Sequence, residues 1–213
     1  MGVAFIHLIH FPVRALGPGI RVGVWFQGCS LHCPGCVTPE SWGFGHGGKS
    51  HKEEPNDRHY IKIAVSDLAA RIISFFGQTE APRPIGLTIS GGEPFDQPKA
   101  LLELLGAVRA ITEDILIYSG YSAERLAERH PKLPGLAAAL VDGPFEQNNL
   151  TNSVWKGSDN QRLTLWNERF SERYGEWARG EKRRLQLVMD AGRVFFVGIP
   201  RQEDVELLKD PLL

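Results

Sequence analysis

Three cysteines occupy positions 29, 33 and 36 in the run GCSLHCPGC, and the chain of 213 residues has no others. Thiolates are the ligands of choice for zinc and for iron–sulfur clusters. A C-x3-C-x2-C spacing puts three of them on one short loop. Three thiolates can hold three irons of a four-iron cluster, leaving the fourth iron open to an exogenous ligand. An odd number of cysteines argues against a disulfide framework. The first residues, MGVAFIHLIHFPVR, also lack the order of a signal peptide. Zinc remains the serious rival, with His32, His46, His51 or His59 available as a fourth ligand. Structural zinc sites commonly draw on two ligand pairs, however, and no second pair is present. A redox pair at Cys33 and Cys36 would leave Cys29 unexplained. The spacing favours iron–sulfur and leaves zinc open.

The elements that must position this loop read as alternating strands and helices. Strands are predicted over residues 3–9 and 20–26, the second with Val22, Val24 and Phe26 on one face and the cysteine loop directly after it. Residues 41–60 are rich in Gly, His, Lys and Glu and read as a loop. Ser66 is expected to cap a helix running to Gly77. A strand over 85–89 ends in Ser90-Gly91-Gly92-Glu93-Pro94, and a helix then buries Leu101, Leu102, Leu105 and Val108. A strand over 115–118, a helix capped by Ser122 and a strand over 138–141 follow. Beyond them the sequence predicts a loop over 148–161, a helix over 163–177, a hairpin about Asp190-Ala191-Gly192 and a last helical turn over 205–208. Strand–helix repetition implies a mostly parallel sheet covered by helices. In such sheets ligands collect beyond the carboxyl ends of the strands. The cysteine loop and the Gly91-Gly92-Glu93 turn are both expected on that edge. Residues 1–162 are taken as the core domain and 163–213 as an extension packed on it.

Composition excludes several classes. The formal charge is −1, which gives no electrostatic footprint for nucleic acid, and 42% of residues are hydrophobic, enough for a core. No apolar run is long enough to cross a bilayer. A soluble, cytoplasmic protein with reduced thiols is the expectation.

With these motifs set in order, the sequence resembles the radical S-adenosylmethionine enzymes, whose hallmark is C-x3-C-x2-C. Within them it resembles the activating enzymes of glycyl-radical proteins, most closely the activators of anaerobic ribonucleoside-triphosphate reductase. The resemblance is carried by Gly17-Pro18-Gly19-Ile20-Arg21, the Cys33-to-Cys36 ending Cys-Pro-Gly-Cys, Ser41-Trp42, Ser90 to Pro94, Tyr118 to Tyr121, Val141 to Phe145, and Gly157 to Arg162. It covers residues 12–162. Gly35 stands where many radical enzymes have an aromatic, which accords with this subgroup.

The resemblance implies a partial (β/α) barrel with a mostly parallel sheet, here with a C-terminal hairpin extension. It implies a [4Fe-4S] cluster on Cys29, Cys33 and Cys36 and S-adenosylmethionine as the second cofactor, cleaved reductively to a 5′-deoxyadenosyl radical. Gly91, Gly92, Glu93, Ser119 and Tyr121 are the implied cofactor-binding residues, with Glu93 toward the α-ammonium. Pro94 only stiffens the turn. Asn160, Gln161 and Arg162 are candidates by resemblance alone; Arg21 and Asp142 have structural readings of equal weight. A larger glycyl-radical protein is the implied partner, and a flavodoxin or ferredoxin the implied electron donor. Two alternatives stay open: a radical enzyme acting on a peptide or small molecule, and a non-catalytic iron–sulfur or zinc module.

Overall fold

The computed structural model describes residues 2–43, 60–77, 85–182, 184–190, 193–201 and 204. His46, His51 and His59, most of the predicted 41–60 loop, the hairpin turn at Ala191-Gly192 and the predicted helical turn over 205–208 lie outside the described residues.

The chain opens with strands β1 (Val3–Val13) and β2 (Arg21–Phe26), followed by the cysteine loop. Strand β3 (Ile61–Ala64) leads into helix α1 (Val65–Phe76). Then come β4 (Gly86–Gly91), α2 (Pro98–Val108), β5 (Ile115–Ser119), α3 (Ala123–Arg129), β6 (Ala139–Asp142), β7 (Arg162–Leu165) and α4 (Ser171–Ala178). The hairpin β8 (Leu185–Asp190) and β9 (Arg193–Gly198) closes the series. Seven strands form one sheet in the order β3-β1-β2-β4-β5-β6-β7. Its four central strands, β2, β4, β5 and β6, are mutually parallel, with antiparallel strands on either side. The edge strands β3 and β7 do not pair with each other, so the sheet is open.

Period-2 alternation explains how both faces are filled. Val22, Val24 and Phe26 of β2, Ile115 and Ile117 of β5, and Leu140 of β6 point to one side and pack with Leu68 and Ile72 of α1, Leu101, Leu104, Leu105 and Val108 of α2, and Leu126 of α3. On the opposite face Trp25 packs with Leu8, Leu16 and the hairpin's Val188, Phe195 and Val197. Beside them Leu116, Ala139 and Val141 pack with Tyr174 of α4. Every residue of β2 is buried, as a central parallel strand requires.

Three local expectations are corrected. The N-cap of α1 is Ala64 and not Ser66, since β3 runs straight into the helix and no side chain caps it. Leu104 is fully buried on α2 together with Leu101, Leu105 and Val108, whereas Leu102 is only partly buried. The predicted helix over 163–177 begins instead as strand β7, because Leu163 and Leu165 alternate beside the free edge of β6 and pair with it. Only Ser171–Ala178 is α-helical. Ser122 does cap α3, accepting the Arg125 N–H at 3.3 Å. β7 also straddles the boundary drawn at residue 162.

Candidate metal centre and cofactor cavity

The cysteine loop leaves the carboxyl end of β2 and is held shut by its own backbone. Gly28 N–H donates to the Ser41 carbonyl at 2.6 Å and Cys29 N–H to that of Trp42 at 3.1 Å. Within it, Cys36 N–H donates to the Cys33 carbonyl at 3.1 Å, closing a turn through Pro34 and Gly35. Gly35 sits at φ +74°, and a Cβ there would stand 2.7 Å from Gln147 Oε1. That is why no aromatic precedes the third cysteine: the turn needs the left-handed region.

The turn after β4 docks on the root of this loop. Gly92 N–H donates to the Phe26 carbonyl and Glu93 N–H to that of Gly28, both at 2.8 Å. A Cβ on Gly91 would lie 2.3 Å from Phe26 backbone atoms, and one on Gly92 2.2 Å from the Gly28 carbonyl oxygen. The two glycines therefore let two backbones touch, which fixes the distance between cysteines and turn.

A single cavity lies where these segments meet. Cys29, Cys33 and Cys36 line it on one side, Ser90 to Glu93 and Ser119-Gly120 on another. Gly143, Phe145, Gly157 and Gln161 form a third wall, and Phe196, Gly198, Ile199 and Pro200 from the hairpin end a fourth. Cys29 is buried and the other two thiols are half-buried. Burial pushes the Cys29 and Cys33 thiols above the ordinary range. Loading them with metal must displace protons.

Glu93 is 1% exposed and ties two strand ends together. Its Oε1 accepts from Phe95 N–H at 3.0 Å and Ser119 Oγ at 2.9 Å, and its Oε2 from Gly120 N–H at 2.8 Å. Burial nonetheless dominates these three donors and pushes its carboxyl up to about 7. A carboxylate accepts about four hydrogen bonds. Three are used, and the open position belongs to Oε2.

Other predicted residues take structural positions. Tyr121 is not among the cavity-lining residues; its hydroxyl donates to Asp96 Oδ1 at 2.8 Å and meets Ser30 Oγ at 2.9 Å, clamping the residue next to Cys29. Asp142 accepts from Ala123 N–H at 3.0 Å, Arg162 at 2.6 Å and Thr164 Oγ1 at 3.2 Å, so it holds α3 and β7 on β6. Asn160 donates to the Pro144 carbonyl. Gln161 both lines the cavity and braces its wall, through Gly143 and Gly157. His32 is exposed and its ring lies 4.8 Å from that of Trp42. Arg21 is fully buried at the amino end of β2, far from the cysteines, bonded to Thr88 and Asp114. The cavity walls from Phe145 and the hairpin were not assigned from sequence; Phe145 comes from the segment after β6, and the tertiary docking of β8–β9 brings in the hairpin end.

The donor set fits a cluster. Cys29, Cys33 and Cys36 line one cavity, and three thiolates can each bind a different iron of a four-iron cluster.

Three thiols on a loop at the carboxyl edge of a parallel sheet, beside a polar glycine turn, make up the arrangement of a single-cluster iron–sulfur protein. The sequence matches the family model described as "4Fe-4S single cluster domain" over residues 15–164. Among curated proteins, it is 30% identical over 158 residues to the anaerobic ribonucleoside-triphosphate reductase-activating protein of Escherichia coli K12, covering 71% of this chain and 93% of that protein. The protein of the same name from Pasteurella multocida is 32% identical over 154 residues, 68% of this chain and 87% of its own length. That of enterobacteria phage T4 is 28% identical over 151 residues, 69% and 85% respectively. The chain belongs to the family of anaerobic ribonucleoside-triphosphate reductase-activating proteins, which are radical S-adenosylmethionine enzymes with a [4Fe-4S] cluster.

Proposed function

We propose that this chain activates an anaerobic ribonucleoside-triphosphate reductase by installing a glycyl radical on it. The observation that carries the reading is the single cavity lined at once by Cys29, Cys33, Cys36 and the Gly91-Gly92-Glu93 turn. Cys29, Cys33 and Cys36 would hold the cluster, and the cavity they line would also take S-adenosylmethionine. When bound, cluster and cosubstrate supply reductive cleavage to methionine and a 5′-deoxyadenosyl radical that takes a hydrogen atom from the partner.

The chain's own residues bind, orient and exclude. Gly91 and Gly92 keep the β4 turn close against the cysteine loop. Glu93 offers its open Oε2 position to an ammonium group, a charge-assisted contact. Ser119 holds the other oxygen of that carboxylate, so it orients Glu93. Tyr121 acts through Ser30 and Asp96 and is a positioning residue for the cysteine loop. Phe145 and the hairpin end keep water from the cavity.

A partial barrel, with the cavity inside its curve, is part of this proposal, as is the division into a core of 1–162 and an extension of 163–213. So are a cytoplasmic location and a flavodoxin or ferredoxin as reductant. Among the described residues no helix is long and apolar enough to cross a membrane.

The test is anaerobic reconstitution with iron and sulfide, followed by reduction with S-adenosylmethionine and the reductase of the same organism. Methionine, 5′-deoxyadenosine and a glycyl-radical resonance on the reductase are expected. Tightly bound zinc with no cleavage overturns the enzymatic reading; cleavage with no radical on the reductase overturns the partner.

A further inference from the structure

The hairpin that walls the cavity has a second face. Alternation sends Val188, Phe195 and Val197 inward, at 4%, 8% and 0% exposure. It sends Leu187, Met189 and Val194 outward, at 64%, 79% and 56%. The register pairs Met189 with Val194 and Leu187 with Phe196, so these side chains form one apolar ridge two strands wide. The ridge leads into the cavity, because Phe196 and, two residues on, Gly198 line it. A contiguous apolar strip of this kind on a surface marks a contact site.

Charge narrows the occupant. Lys182 and Arg184 are exposed just before β8, and exposed Arg14 is held beside the hairpin by its N–H bond to Gln186. Glu181 and Asp190 are the carboxylates of the same stretch, and residues 181–193 still carry four cations, so together with Arg14 the patch is net cationic. A second copy of this chain docking through the same patch would bring two sets of these cations together. A partner whose apolar strip is bordered by carboxylates meets no such repulsion.

We propose that this ridge is the docking platform for the protein that receives the radical. The partner lays an apolar, carboxylate-bordered strip along Leu187, Met189 and Val194. Its reacting loop then passes over Phe196 and Gly198 to the cavity. The inference rests on the function proposed above and adds the surface. A radical formed in the cavity cannot survive transit through water, so the partner backbone has to come to it. A platform continuous with the cavity rim supplies that approach.

The test compares the reconstituted wild type with the Leu187→Ser/Met189→Ser double variant, using the anaerobic ribonucleoside-triphosphate reductase of the same organism as probe. Both side chains face solvent, so iron content and reductive cleavage of S-adenosylmethionine without partner are expected unchanged. Affinity for the reductase is expected to fall about tenfold or more, as for loss of a buried apolar anchor. Radical yield is expected to fall with it at low reductase and to recover at high reductase. Unchanged affinity and yield overturn the platform and leave the proposed function standing. A wild type that cleaves the cosubstrate yet neither binds nor activates the reductase overturns both. A wild-type dimer in sedimentation that the double variant dissolves also overturns the platform, by giving the ridge to a second copy.

Discussion

Cys33 and Glu93 show how differently two residues of one cavity are constrained. Cys33 has a half-buried thiol whose proton is held more tightly than usual by burial, and metal must displace it. Cys33→Ala removes one of three thiolates and should abolish the broad visible absorption after reconstitution, together with cosubstrate cleavage. Glu93 is a buried carboxyl with three hydrogen bonds whose pKa is still pushed up to about 7 by burial. The native state thus holds this proton more tightly than the unfolded chain, where the group titrates near about 4.3. Its contribution to stability is complete below that value and is lost as pH rises through about 7. Melting temperature of the metal-free wild type should therefore fall, relative to Glu93→Gln, between pH 4.5 and 7.5. Parallel profiles for the two proteins would mean that Glu93 does not titrate in this window.

At the level of elements, the amino end of the sheet is held by charge and the carboxyl end is left for chemistry. Arg21 begins β2, and its guanidinium reaches Thr88 Oγ1 at 2.7 Å, the Leu87 and Asp114 carbonyls at 2.9 Å each and Asp114 Oδ1 at 3.0 Å. Tyr174 of α4 donates to the same Asp114 Oδ1 at 2.7 Å. One arginine thus joins β2, β4, β5 and the extension. Removing one partner of a buried pair costs about 3–5 kcal/mol. Arg21→Met should lower unfolding free energy in urea by that order while leaving the cluster spectrum of the folded fraction intact, since it acts at the opposite end of β2. A lost spectrum in folded protein would contradict that separation. The strands and the shared edge of cysteine loop and glycine turn were legible because parallel strands are apolar runs and each motif follows one directly. β7 was not. Four residues with two leucines carry too little pattern to outweigh the helical spacing downstream, and only the free edge of β6 makes them a strand. Tyr121 follows the end of β5 as its sequence position implies, and its hydroxyl bonds to Asp96 and Ser30 are tertiary contacts that no local pattern announces.

For the whole molecule, the cavity depends on an element that cannot stand alone. An isolated two-stranded hairpin is marginal in water. Here β8 and β9 are held by Phe195, Val188 and Val197 against Trp25, Leu8 and Leu16, and by Gln186. The Gln186 Oε1 accepts from the Arg14 and Ala15 N–H groups, and its Nε2 donates to the Pro12 carbonyl at 3.0 Å. Stability is not uniform across such a structure, and a docked hairpin can open without the sheet. Phe195→Ala removes a large buried side chain on the docking face, and Gln186→Leu strands two N–H groups and a carbonyl that it now satisfies. Both should raise amide exchange in β8 and β9 while β4 and β5 keep wild-type protection. Because Phe196, Gly198, Ile199 and Pro200 form one wall of the cavity, the same variants should bleach faster in air after reconstitution. If exchange rose equally in β4 and β5, the hairpin would be part of the cooperative core. If bleaching were unchanged while the hairpin opened, the fourth wall would have no part in shielding the metal.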